Sequence, residues 1–158
     1  MTRIRLTDNA AAIDFKQVRA LLADSYWVPG ITLKRVRLVA ANSLVVAAIL
    51  RRGREGGDEV LAYGRVVSDG SRFAYLADIM VHPDHRGQGL GKRIAGYLIG
   101  HRKVKAVDLW LLMTKDAHGL YAQFGFGSLD FPDRVMMKRG LSKLDPCDPL
   151  RPKNPSPR

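Results

Sequence analysis

A chain of 158 residues, 46% apolar and 26% charged, is sized and composed for one folded domain with its own core. No apolar run approaches the ~20 residues that span a bilayer, and the opening MTRIRLTDNA lacks a signal-peptide core, so a cytoplasmic protein without a membrane partner is expected. The net charge of +11 suits a nucleic-acid binder or a protein that attracts a polyanionic ligand, but Lys and Arg are spread along the chain without an RNP, KH or zinc-finger pattern, so a nucleic-acid partner is not expected.

Residues 3–6 read as a first strand. Asp14-x-x-Gln17 has the form of a capping box, and Phe15, Val18, Leu21 and Leu22 repeat on one helical face. Ser25-Tyr26-Trp27-Val28-Pro29-Gly30 breaks that helix. A second helix is expected over 32–41, with Val36, Val39 and Ala40 inward and Lys34, Arg35 and Arg37 outward. Residues 44–50 form an apolar run of strand length, 60–68 a returning strand, and the glycine- and charge-rich 51–58 an exposed hairpin tip. Asp69-Gly70-Ser71 then turns the chain into a third run at 73–81, which makes these three strands antiparallel neighbours.

The stretch FAYLADIMVHPDHRGQGLG, residues 73–91, organises the remainder. A β-forming run interrupted only by Asp78 stops at Pro83, which has no N–H for a ladder. Arg86-Gly87-Gln88-Gly89-Leu90-Gly91 follows, and from Lys92 the pattern becomes helical, ending near Gly100. Strand, glycine-rich turn and helix N-terminus together present backbone N–H groups and a positive dipole end to a phosphate. The spacing fits neither a Walker loop nor the dinucleotide fingerprint. Residues 107–113 read as a strand parallel to 73–81 through a right-handed crossover, 117–124 as a short helix and 134–138 as a closing strand.

Arg86-x-x-Gly89-x-Gly91, preceded by Val81-x-Pro83, resembles the acetyl-CoA pyrophosphate loop of the GNAT superfamily of N-acetyltransferases. A second segment, from Thr114 to Phe126, resembles that family's Asn-x-x-Ala-x-x-x-Tyr-x-x-x-Gly-Phe pattern, with Ala117, Tyr121, Gly125 and Phe126 in register and Thr114 where Asn is common. The element order β-α-α-β-β-β-α-β-α-β is an α/β arrangement with a mixed, mostly antiparallel sheet and flanking helices, and the resemblance implies the GNAT fold over residues 1–140. Residues 141–158 hold five of the eight prolines and read as a basic, disordered tail that includes Cys147, the one cysteine.

The resemblance implies acetyl-CoA as co-substrate, without a metal, and acetyl transfer to a small-molecule or peptide amine. It puts the pyrophosphate on the N–H groups of Gly87, Gln88, Gly89, Leu90, Gly91 and Lys92, with Arg86 organising the loop. It puts the pantetheine and thioester on the main chain of Ile79, Met80 and Val81, with Thr114 as a further contact. Tyr121 would then protonate the departing CoA sulfur, with Lys115 as a source of positive charge to acidify its phenol. Asp78, a charge inside an apolar strand beside the expected thioester, is a candidate general base; the other reading is a structural ion pair. Tyr26 and Trp27 either line the acceptor side or cap the core, while His82, His85 and His118 read as surface residues. A non-catalytic acyl-CoA sensor and a basic nucleic-acid-associated protein are the alternatives, and a homodimer is left open.

Overall fold

The structure, a computed structural model, describes residues 3–51 and 57–138. A five-stranded sheet in the order β1-β2-β3-β4-β5 runs through it. Strands β1 (Arg3–Thr7), β2 (Leu44–Arg51), β3 (Glu59–Ser68) and β4 (Phe73–Val81) pair antiparallel, and β5 (Leu109–Leu111) joins β4 in parallel. The helices are α1 (Phe15–Ala23), α2 (Leu33–Ala41), α3 (Leu90–Ile99) and α4 (His118–Ala122).

Both faces of the sheet are covered, so β2 is a continuous apolar run rather than an alternating one. Helix α3 buries Leu90, Ile94, Ala95 and Leu98 on one face, with Val46, Leu61, Val66 and Leu76 from the strands. Helices α1 and α2 bury Val18, Leu22, Val36 and Ala40 on the other, against Val45, Ala47, Ile49 and Tyr63. Thr32 caps α2 through the Arg35 N–H, and Asp14 caps α1 through the Lys16 N–H. The expected capping box is not completed. Gln17 instead accepts from the Val60 N–H at 2.8 Å and donates to the Asp58 carbonyl at 3.0 Å, tying α1 to the start of β3.

Two irregularities of β4 shape the molecule. Tyr63 pairs with Met80 and Arg65 with Ala77, so Gly64 alone faces both Asp78 and Ile79. Asp78 takes φ +54° to make this bulge, a left-handed conformation that side chains other than Asn and Asp rarely adopt. The second irregularity is the short contact with β5, which ends at Tyr75–Leu111 after three residue pairs. From Leu76 onward the β5-facing edge of β4 has no strand partner among the described residues.

The sheet departs from expectation at its end. Val107 gives its N–H to Val104 in the preceding turn, so β5 is shorter than 107–113. The closing strand at 134–138 does not form. Pro132–Arg134 is a 3₁₀ turn that takes the N–H groups of Arg134 and Val135, and three-residue β5 offers little edge to pair with. Met136 is consequently 96% exposed. Gly100 ends α3 with right-handed φ −81°, so its glycine freedom is not used there. The expected tail at 141–158 and most of the hairpin tip, at 52–56, lie outside the described residues.

Gly64 is where the bulge and α3 meet. A Cβ there would lie 2.7 Å from Ile94 Cγ2 and closer still to Ile79 Cδ1. Gly64→Ala should therefore cost about 1–3 kcal/mol by overpacking and lower Tm by roughly 3–10 °C. Calorimetric melting checks this, and a variant that melts like the parent contradicts the packing described.

Candidate functional site

The exit from β4 is built from main chain. His82 donates its N–H to the Leu61 carbonyl at 2.7 Å, which holds the strand end down, and Pro83–His85 forms a 3₁₀ turn. Arg86 folds back to donate from Nε to the Val81 carbonyl at 3.3 Å, and Gln88 reaches the Asp84 carbonyl at 3.5 Å. Gly87 and Gly89 then take φ +73° and +75°, with no heavy atom within 4 Å of where a Cβ would stand. Gly89 is the N-cap of α3 and offers no side-chain acceptor. The N–H groups of residues 87–92 therefore have no partner among the described residues, and they gather at the positive end of a ten-residue helix. A Cβ at Gly91 would lie 3.6 Å from a Val81 methyl and 3.7 Å from a Leu120 methyl, so a methyl group fits there.

Next to this loop, the bulge is fixed by charge. Asp78 Oδ2 accepts from Arg65 Nε at 2.5 Å, and Oδ1 accepts from the Trp27 indole N–H at 3.0 Å. Arg65 continues to Ser43 Oγ at 3.2 Å, which donates to the Val39 carbonyl. Both side chains of the ion pair are largely buried, and both carboxylate oxygens are occupied. Beside Asp78, Ile79 packs toward the α3 cluster and Met80 toward the α1–α2 cluster, leaving their main chain along the splay, the stretch beyond Tyr75–Leu111 where β4 and β5 no longer pair.

Tyr26 and Trp27 bridge the two diverging strands. Their rings meet edge to face with centroids 4.8 Å apart. Trp27 is bonded to β4 through Asp78, while the Tyr26 hydroxyl accepts the Lys115 N–H at 2.9 Å beyond β5. The α1–α2 connection thus lies across the splay, bonded on both sides.

The second segment turns on Thr114, whose Oγ1 accepts the Ala117 N–H at 3.0 Å and leads the chain into α4. Tyr121 follows, 8% exposed, its ring against Phe126 at 6.1 Å and its hydroxyl without a hydrogen bond among the described residues. Gly125, at φ +86°, closes the helix and sends the Phe126 N–H back to the Tyr121 carbonyl. Burial pushes the Tyr121 phenol up to about 12, with Tyr26 and Asp116 adding to the shift. The expected acidification by Lys115 is not found: its ammonium lies 5.8 Å over the Tyr26 ring, and every influence on the phenol raises it. His82 accepts the Asp84 N–H and stacks edge-on with His85 in the loop, while His118 opens α4 and is exposed.

The sequence reading passed over Arg65 and Tyr75. Arg65 is the one cation inside the apolar run of β3, and Asp78 the one anion inside that of β4. Opposite charges in adjacent buried strands were the available signal. Tyr75 carries no such mark. Its phenol is raised by burial and further by the charge of Asp78.

The family model described as an acetyltransferase (GNAT) domain matches residues 41–127. An uncharacterized N-acetyltransferase, ycf52, of Pyropia yezoensis is 28% identical over 104 residues, covering 65% of this chain and 58% of that protein. The ycf52 protein of Porphyra purpurea is 26% identical over 128 residues, covering 80% and 71%. A crystal structure from Xanthomonas campestris pv. campestris, assigned to the GNAT family, is 32% identical with a TM-score of 0.78, covering 89% of this chain and 95% of that one. The chain thus spans little more than half of the Pyropia protein and nearly all of the Xanthomonas one.

The Asp78–Arg65 pair generates a test. Asn tolerates the same left-handed backbone, so Asp78→Asn removes the charge and keeps the bulge sterically allowed. It leaves a largely buried guanidinium without its anion, which should cost about 3 kcal/mol and roughly 6–12 °C in Tm. An unchanged melting temperature with lost turnover would instead point to a chemical role for the carboxylate.

Proposed function

Because the chain belongs to the GNAT superfamily of acetyltransferases, we propose that it moves an acetyl group from acetyl-CoA to a primary amine by direct attack in a ternary complex. The observation that carries this reading is the row of unpartnered N–H groups at 87–92, next to a strand whose edge is also open. Donors at a helix N-terminus suit a pyrophosphate, and hydrogen bonds to a charged group contribute about 1.5–3 kcal/mol each. Gly87, Gln88, Gly89, Leu90, Gly91 and Lys92 would hold the pyrophosphate, with Arg86 fixing the loop. Ile79, Met80 and Val81 would take the pantetheine along the splay and polarise the thioester carbonyl from the main chain. Thr114 has spent its acceptor on Ala117, but its hydroxyl can still donate to the pantetheine.

Tyr121 is the proposed acid for the leaving sulfur. A phenol near 12 facing a thiol near 8.5 makes the transfer uphill by about 5 kcal/mol in isolation. The proton therefore moves only as the C–S bond breaks and the sulfur becomes strongly basic. An acid this weak also stays protonated, and its free hydroxyl has no competing acceptor. Asp78 is assigned to holding the bulge and Trp27, because it is buried and each of its oxygens already accepts a bond, from Arg65 and from Trp27. The attacking amine then reaches its neutral form through solvent, about one molecule in ten at pH 7 for an α-amine and about one in 2,500 for a lysine-like amine.

Three outcomes follow. Gly89→Val forces a β-branched residue into φ +75° and should weaken acetyl-CoA binding about 10–100-fold by calorimetry while the fold persists. Unchanged affinity would remove the loop from the site. Tyr121→Phe should lower kcat about 10²–10⁴-fold with acetyl-CoA still bound; full turnover would leave Tyr121 a packing residue. The acid is needed protonated and is lost only as pH rises through about 12. Turnover should thus climb with amine deprotonation and show no falling limb below about pH 10. A loss of activity near pH 8–9 would require a different acid.

A further inference from the structure

We propose that the acceptor is a monoamine carried on an aromatic or apolar body, and that polyamines and other polycations are poor acceptors. This rests on the acetyl-transfer reading and concerns what the same site selects. The wall across from the open edge of β4 is aromatic. Trp27 and Tyr26 stand edge to face, Met80 packs on the same side of the sheet as Trp27, and Tyr75, alternating with Ala74 and Leu76 of the α3 cluster, faces that side as well. Such a surface binds apolar and aromatic groups by burial and ring contact.

The same wall has little to offer a second positive charge. Asp78, the carboxylate beneath it, is committed to Arg65 through one oxygen and to Trp27 through the other. Asp116, on the Tyr121 side, is exposed to solvent. The Tyr26 ring, which could otherwise take a cation, already carries the Lys115 ammonium 5.8 Å from its centroid. Lys115 has no carboxylate within ion-pair distance among the described residues, so its ammonium over Tyr26 is a further positive charge that a polycation would meet. A chain with net charge +11 adds long-range repulsion of polycations. An apolar, aromatic wall also disfavours the ammonium form of the entering amine by desolvation. It thereby favours the neutral nucleophile without requiring a carboxylate base.

The experiment measures thiol release by the full chain at saturating acetyl-CoA, pH 8 and low salt. Phenethylamine, ethanolamine and spermidine are the acceptors, and calorimetry follows acetyl-CoA binding separately. Phenethylamine should exceed ethanolamine in kcat/KM by about tenfold or more, because the aromatic wall recognises the body rather than the amine alone. It should exceed spermidine by a similar factor, and higher salt should narrow that second gap. Lys115→Glu should narrow it further by reversing the charge over Tyr26. Spermidine matching phenethylamine, ethanolamine matching phenethylamine, or Lys115→Glu leaving the spermidine gap unchanged would each overturn the inference. Turnover of none of the three with acetyl-CoA bound would overturn it as well, leaving the acetyl-CoA site standing. Failure to bind acetyl-CoA would sink the acetyl-transfer reading and this inference with it.

Discussion

The buried pair between Asp78 and Arg65 is the interaction on which the working end of this molecule depends. A carboxylate and a guanidinium within an apolar sheet cost several kcal/mol of desolvation each, and only close pairing with further hydrogen bonds offsets that. Trp27 and Ser43 supply those bonds. In return the pair fixes a non-glycine residue in left-handed conformation, opposite a glycine that leaves room for Ile79 and α3. The bulge sits just beyond the last residue pair that β4 shares with β5, so the re-aimed backbone and the open edge coincide.

From that point two kinds of surface diverge. On one side lie main-chain donors: the splayed strand and the glycine loop ahead of α3. They need no particular side chain, only glycines at φ +73° and +75° and a helix end left uncapped. On the other side lies the α1–α2 connection, bonded through Trp27 to β4 and through Tyr26 to the segment after β5. Tyr121 stands beneath, held by Phe126 and by the turn at Gly125. This division fits a transferase. In the proposed transfer, a donor whose phosphates and pantetheine are the same in every turnover would be read by backbone, and the acceptor by side chains.

Much of this was legible in the sequence because it is local. Pro83, the glycines at 87, 89 and 91 and the helical spacing of Ile94, Ala95 and Leu98 fix strand, loop and helix within twenty residues, and β4 emerges over the expected 73–81. Asp14 caps the helix it was expected to cap, while Thr32, expected as the first residue of the second helix, stands just ahead of it as its cap. What escaped depends on partners distant in the chain. The bulge needs Gly64 and Arg65, and the Trp27 bond spans 51 residues. Gln17 keeps a side-chain bond to Asp14 but is also recruited across the fold by Val60. Residues 134–138 have the composition of a strand, but a strand also needs an edge, and β5 is too short to supply one.

The central claim is that the main chain of the bulged strand and the glycine loop is the acetyl-CoA site. The most direct test is an amide NMR titration of the protein with acetyl-CoA. The largest shifts and the strongest new protection from exchange should fall on the amides of residues 79–81 and 87–92. Those of β1 and β2 should hardly move. Saturable binding that leaves the 87–92 amides unperturbed would contradict the account.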